Sequence, residues 1–158
     1  MKKTGFTLIE LLVVVAIIAL LSGIVTVNFT KSRSKARDAK RVSDVGQIQL
    51  ALELVFDRCN KYPPVAPSVA TISIVTVCTK NGTNISINTF MTTVPTQQSA
   101  GTGDTTDYRY GVNATQNDYV LATRLENNSE VLNDDNDVTL HGITCTDGPP
   151  YNYCVTPR

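Results

Sequence analysis

The sequence predicts an α+β protein: one long N-terminal α-helix, membrane-spanning in its first half, packed on a small antiparallel β-sheet. Three observations carry that prediction. Residues 6–27 are predominantly apolar and carry a single charged side chain, Glu10. Val42, Val45, Ile48, Leu52 and Val55 then recur at steps of three and four, the spacing of one helix face. After Pro67 the period changes, and Val-, Ile- and Thr-rich segments alternate with polar residues as strands do.

The elements follow in order. As a helix, residues 6–27 extend about 33 Å, enough to cross a hydrocarbon core of about 30 Å. Residues 28–61 continue as an amphipathic half. Tyr62-Pro63-Pro64 ends the helix, because proline lacks the amide and disfavours helix in the residue before it. The result is one helix of roughly 50 to 55 residues. Gly23 and Gly46 each weaken it by about 1 kcal/mol relative to alanine. Residues 62–158 form the β-rich head. Residues 69–78 read as extended, Ile85 and Ile87 alternate with polar neighbours, and Tyr108, Tyr110 and Val112 alternate with Arg109 and Gly111. Residues 119–125 give another strand, with residues 114–117 closing a hairpin between the two, and residues 138–140 are a short further candidate. Residues 99–106 are small and polar, a loop. The expected sheet has about four strands, and the chain shows no internal repeat.

The N-terminus carries the sharpest signal. Lys2-Lys3-Thr4-Gly5 runs into Phe6-Thr7-Leu8-Ile9-Glu10 and then directly into the apolar run. A secretory signal is cut after its apolar region, at small residues; here the glycine lies before it. The combination resembles the class III signal of type IV pilins and of the pseudopilins of type II secretion. That resemblance implies cleavage between Gly5 and Phe6 by a prepilin peptidase, N-methylation of Phe6, and a leader of residues 1–5. It also implies a role in assembly for Glu10. A carboxylate at mid-bilayer costs about 2.5 to 3.5 kcal/mol, and the amine created on Phe6 of a neighbouring subunit would offset it. Family members often carry a proline some way into the mature helix. This chain has Val27 and Asn28 in that region, and Ser22-Gly23 is its softer point. Asp118-Tyr119-Val120-Leu121-Ala122, Leu125-Glu126, an Asn/Asp-rich loop and a late cysteine pair are similar to the C-terminal half of bacterial pilins.

Charge divides the chain. Residues 1–61 hold ten Lys or Arg against five acids, and residues 62–158 hold four against nine. The acidic head gives no support to nucleic-acid binding. Six bases lie between residues 31 and 41, distributed around the helix, where they would solvate the exit from the membrane and meet anionic headgroups. Positive charge counted alone would put the C-terminal side in the cytoplasm; the leader and the cysteines argue for the head outside.

Cys59, Cys78, Cys145 and Cys154 admit three pairings. No CxxC spacing occurs and His141 is the only histidine, which argues against zinc; an even count behind an export-type N-terminus favours disulfides. Sequential pairing, Cys59 with Cys78 and Cys145 with Cys154, is the expected one. The first would pin the segment after the helix, and the second would close the loop around Gly148-Pro149-Pro150. In the family the terminal disulfide ties the last loop to the sheet.

No catalytic set is present: a Cys-His pair needs a free thiol, and there is no Gly-rich phosphate loop. Asn133 to Asp137 offers oxygen ligands, with Asp134, Asp135 and Asp137 as candidates for calcium, which some pseudopilins bind in this region. A polar turn of Asx side chains is the reading preferred to a metal site, so no cofactor is expected. Three Asn-x-Ser/Thr matches, at Asn81, Asn84 and Asn113, are attributed to the abundance of Asn and Thr.

The sequence thus predicts a non-enzymatic structural subunit of a type IV pilus-like filament, or alternatively a pseudopilin of a type II secretion system. The resemblance implies a homopolymer, a prepilin peptidase, an assembly platform and a motor ATPase as partners. The precursor would sit in the inner membrane as a single-pass protein, and the mature chain in an extracellular filament.

Overall fold

The computed structural model describes residues 5–65, 68–97 and 108–157, with the side chains of residues 23–28 excepted. One α-helix, α1 (Leu8–Cys59), occupies a third of the chain. It starts where Thr7 caps it: the Thr7 hydroxyl accepts from Glu10 N, and the Glu10 carboxylate accepts from Thr7 N, a reciprocal capping box. It ends at Asn60, whose left-handed conformation (φ 54°) sends its N–H back to the Phe56 carbonyl. Among the described residues no helix is long and apolar enough to cross a membrane. The predicted span of residues 6–27 runs into the side chains outside the description.

The head follows as α2 (Val69–Ile72), β1 (Cys78–Lys80), β2 (Thr83–Ile85), a 3-10 turn at Ile87–Thr89, β3 (Arg109–Val112), β4 (Tyr119–Arg124), a 3-10 turn at Glu130–Asp134 and β5 (Asn152–Val155). Two antiparallel sheets form, β1-β2 and β3-β4-β5, in place of the one four-stranded sheet expected. β3 and β4 make the expected hairpin, with Arg109 opposite Ala122 and Val112 opposite Tyr119.

Three further differences have local causes. Residues 69–78 are not one extended run. Ser68 caps a helical turn that buries Val69 and Ile72, three residues apart, and only Cys78 enters a strand. Residues 138–140 contribute only an isolated bridge, Leu140 to Ile143. β5 went unread because it buries Asn152 and Cys154 while leaving Tyr153 and Val155 half-buried, which erases the apolar alternation. Asn152 is tolerated inside because its Oδ1 accepts from Arg109 Nη2 at 2.8 Å. The loop expected at residues 99–106 lies outside the described residues.

The core sits where α1 crosses the three-stranded sheet. Val45, Ile48, Leu52 and Val55 are buried against Tyr62, Ile72, Ile87, Tyr108, Tyr119 and Leu121. β4 is buried on both faces: Tyr119 and Leu121 point to the helix, whereas Val120 and Ala122 join Ile143 and the Cys145 and Cys154 sulfurs in a second cluster.

Candidate assembly site

At the N-terminus, Gly5, Phe6 and Thr7 precede the helix, so the Gly5–Phe6 peptide lies outside the helical hydrogen-bond ladder. Phe6 is 92% exposed, and a Cβ on Gly5 would meet nothing within 4 Å. Glu10, expected to meet a neighbour's amine, is engaged within its own chain. Its Oε2 accepts from Thr7 N at 2.8 Å and from Thr7 Oγ1 at 2.6 Å. The Thr-x-x-Glu spacing of a capping box was readable in the sequence and was missed. Cleavage after Gly5 would leave this box intact, since both partners lie beyond the cut. From Leu8 to Leu21 the large apolar side chains are exposed, which calls for lipid or protein to cover them.

The head meets the helix at Ser34, whose hydroxyl reaches Asn127 Oδ1 at 3.3 Å. One turn on, the basic stretch changes character. Arg37 forms a two-pronged pair with Glu126 (2.7 and 2.6 Å), and the buried Arg41 bridges Asp38 (2.7 Å) and Glu126 (2.9 Å). Asp38 in turn accepts from the backbone N–H groups of Glu126 and Asn127 at 2.9 and 3.0 Å, and from Asn127 Nδ2 at 2.7 Å. Arg37's hydrogen bonds, with the charge of Arg41, hold the Glu126 carboxyl below the usual range. The six bases therefore do not all solvate the helix. Arg37 and Arg41, one turn apart, face the head, while Lys31, Arg33, Lys35 and Lys40 stay exposed. Sequence reasoning missed Asp38 and Glu126, because their partner lies 88 residues away.

Further along α1, Asp44 accepts from the buried Tyr108 hydroxyl at 2.7 Å, and Glu53 accepts from Tyr62 and Tyr119 at 3.0 and 3.1 Å. Burial pushes all three phenols up, and the carboxylates add to it. Tyr62 stacks on Phe56 and meets Tyr119 edge-on, each at 4.6 Å between centroids.

Disulfides join Cys59 to Cys78 and Cys145 to Cys154, with Cα separations of 5.7 and 5.9 Å. The first ties the end of α1 to β1; the second ties β5 to the preceding loop. That loop brings Asp147 to Asp135 and Asp137, with one carboxylate oxygen of each within 4.8 Å of the other two. Asp134, one of the three calcium candidates, is not part of this group; it ends the 3-10 turn and is exposed. Oδ2 of Asp135 accepts from Cys154 N at 2.6 Å, whereas Oδ1 of Asp135 and of Asp147 are buried without a hydrogen-bond partner. Oxygen-only donors with unpartnered lone pairs fit a hard cation, for which these three residues would supply part of the roughly six to eight ligands calcium takes. The preferred turn is also present: Asn136 Oδ1 accepts from Val138 N at 3.2 Å. Burial, with the charges of Asp147 and Asp137, raises Asp135 to about 6. His141 sits at a left-handed turn (φ 47°), with Nε2 2.8 Å from Asp118. Its carbonyl comes so close to Gly111 that a Cβ there would lie 2.7 Å away. The histidine is thus placed in a turn beside a strand, and all four cysteines are tied up in disulfides.

Comparison with known proteins finds likeness over part of the chain. The prokaryotic N-terminal methylation motif matches residues 1–26. The chain is similar to the type II secretion system core protein G of Aeromonas hydrophila (36% identical over 62 residues, 39% of this chain and 43% of the relative). It is similar to the core protein G of Escherichia coli (37%, covering 39% and 43%) and to that of Vibrio cholerae (40%, covering 39% and 42%). The chain spans about two-fifths of the length of the curated relatives it matches. No solved structure matches it. The methylation motif and the relatives show that the N-terminal two-fifths of this chain is similar to prepilin-type proteins, the core proteins G of type II secretion among them, and the long helix on small antiparallel sheets is the fold expected from the sequence.

Proposed function

We propose that this chain is a pseudopilin-type subunit of a type II secretion system, made as a membrane-anchored precursor and assembled through α1. The observation that carries the reading is the methylation motif joined without a break to an exposed apolar helix, in a chain similar to core proteins G. On this reading residues 1–5 are removed by a prepilin peptidase, Phe6 is methylated, and residues 6–27 anchor the precursor. An assembly platform and a motor ATPase then lift it into the filament. Glu10, held by Thr7, would meet the Phe6 amine of a neighbour with Oε1, the oxygen its own capping box leaves unused.

A surface pilus subunit remains the second reading. It is favoured by the two disulfides, which suit a fibre under tension, and by a helix without an internal proline. Deleting the gene in its own host separates the two. Loss of protein secretion with surface fibres intact is expected, and loss of surface fibres with secretion intact would refute the pseudopilin reading. Intact-mass analysis of the mature protein should show N-methyl-Phe6 as the first residue; a chain retaining Lys2 and Lys3 would refute the processing. Glu10→Val should leave the head folded and cut assembly sharply, and wild-type filament levels would refute the amine pairing.

A further inference from the structure

A groove of about 610 Å³ opens at the seam between α1 and the segment after β4, within the range of about 300 to 1,000 Å³ of small-molecule sites. Its floor is apolar: Leu125 is buried, and Val42 and Val131 are half-buried. Its rim carries two exposed charges of opposite sign, Lys35 on α1 and Glu130 at the start of the second 3-10 turn, with exposed Asn128 near Glu130 in the chain. Among the described residues no ion pair or side-chain hydrogen bond holds either charge. Asp38, which also lines the groove, is already engaged by Arg41, Glu126 N and Asn127.

The groove stands at a defined height above the membrane. The segment read as the anchor ends at Val27, and Lys35 lies about 12 Å further along the helix. The headgroup layer is about 5 to 7 Å deep on each side of a bilayer. A helical Cα–Cβ bond tilts toward the helix N-terminus, here toward the membrane. The long stem of Lys35 thus carries its ammonium down to that layer while its methylenes lie along apolar surface.

The two charges select the ligand. A molecule that answers both brings a phosphate to Lys35 and an ammonium to Glu130. A primary ammonium donates hydrogen bonds, which the Glu130 carboxylate and the Asn128 carbonyl can accept. A trimethylammonium donates none and is held by aromatic faces, and no described residue that lines the groove is aromatic. A headgroup with a phosphate alone would leave Glu130 facing like charge. We propose, on the reading that the precursor is membrane-anchored, that this groove seats the phosphoethanolamine headgroup of a membrane phospholipid. The seated headgroup fixes the rotation of the head about α1 against the bilayer, and extraction into the filament empties the groove.

The test uses the full chain, reconstituted into vesicles of phosphatidylethanolamine, phosphatidylglycerol and phosphatidylcholine in equal amounts. Taken up in mild detergent, it should retain phosphatidylethanolamine in preference to the other two, as read by native mass spectrometry. Lys35→Glu and Glu130→Lys should each lower that retention about fivefold, the equivalent of about 1 kcal/mol for one exposed charge pair. Both side chains are exposed, so neither change disturbs the fold. Arg33→Glu makes the same charge change on the same stretch of α1, at a residue that lies over the Phe29 ring and outside the groove, and should leave retention unchanged. Ala39→Phe fills the groove from an exposed helix position and should abolish retention with no change of charge. Preference for either other lipid, equal losses in Lys35→Glu and Arg33→Glu, or no retained lipid overturns the proposal and leaves the membrane anchor standing. With p-benzoylphenylalanine at Asn128, irradiated host membranes should give lipid adducts; adducts to a second copy or to another protein instead overturn the seat. A chain that alkaline carbonate washes from its host's membranes overturns both the seat and the anchor.

Discussion

Asp38 is the residue whose loss should loosen the head from the helix most. It is 5% exposed and accepts four hydrogen bonds: from Arg41, from the Glu126 and Asn127 backbone N–H groups, and from the Asn127 amide. Asp38→Ala removes the negative partner of a buried arginine and strands two backbone donors at once. Breaking a buried pair costs about 3 to 5 kcal/mol, and each donor left unsatisfied costs about 1 to 3. Glu126 still faces Arg41 at 2.9 Å and limits the damage. The expected net loss is therefore about 4 kcal/mol, a fall in melting temperature of roughly 12 to 15 °C for a chain of this size. Asp38→Asn keeps one acceptor for the backbone donors and should lose about half as much. The assay is urea unfolding of the detergent-solubilised chain, followed by near-ultraviolet circular dichroism of its tyrosines, since it has no tryptophan. Helicity near 222 nm should survive in the mutants to higher urea than the tyrosine signal, because Ser34, Arg37, Asp38 and Arg41, which hold the head, lie in the second half of α1. A loss below about 1 kcal/mol in Asp38→Ala, or equal losses in Asn and Ala, would refute the clamp.

Other outcomes follow from single sites. Asp135 has a folded-state value of about 6 against an ordinary 3.8, so its contribution is full below about pH 4 and is lost as pH rises through 6. Asp135→Asn should therefore stabilise the head at pH 7.5, by about 1 kcal/mol once solvent screening is allowed for, and not at pH 3.5; urea midpoints at the two pH values decide it. Replacing Cys145 and Cys154 together by Ala opens a bond of sequence separation 9 and should cost about 3 kcal/mol on the chain-entropy model. Non-reducing peptide mapping first verifies the pairing. Gly111→Ala forces a Cβ to 2.7 Å from the His141 carbonyl, a backbone atom with little room to give, and should cost about 2 kcal/mol in thermal unfolding.

The parts of the fold that were legible in the sequence are those written in local patterns. The helix could be read because its buried stripe recurs every three to four residues and because Pro63 and Pro64 bar its continuation; it ends at Cys59. The β3–β4 hairpin could be read from two alternating runs around a polar turn. The leader, Gly5, Phe6 and Glu10 form a contiguous signal, so the family reading needed no tertiary contact.

What the sequence could not give depends on pairing across long separations. Nothing near Arg37 or Arg41 announces Glu126, so the basic stretch read as uniformly solvated until the fold brought the two together. β5 shows no alternation, since Asn152 is buried only because Arg109 waits for it on β3. Asp147 reaches Asp135 and Asp137 through the loop that the Cys145–Cys154 bond closes, which changed the membership of the carboxylate group. Period and punctuation are properties of neighbours in the chain. Charge pairing and ligand sets are properties of neighbours in space, and only the packed head decides which residues those are.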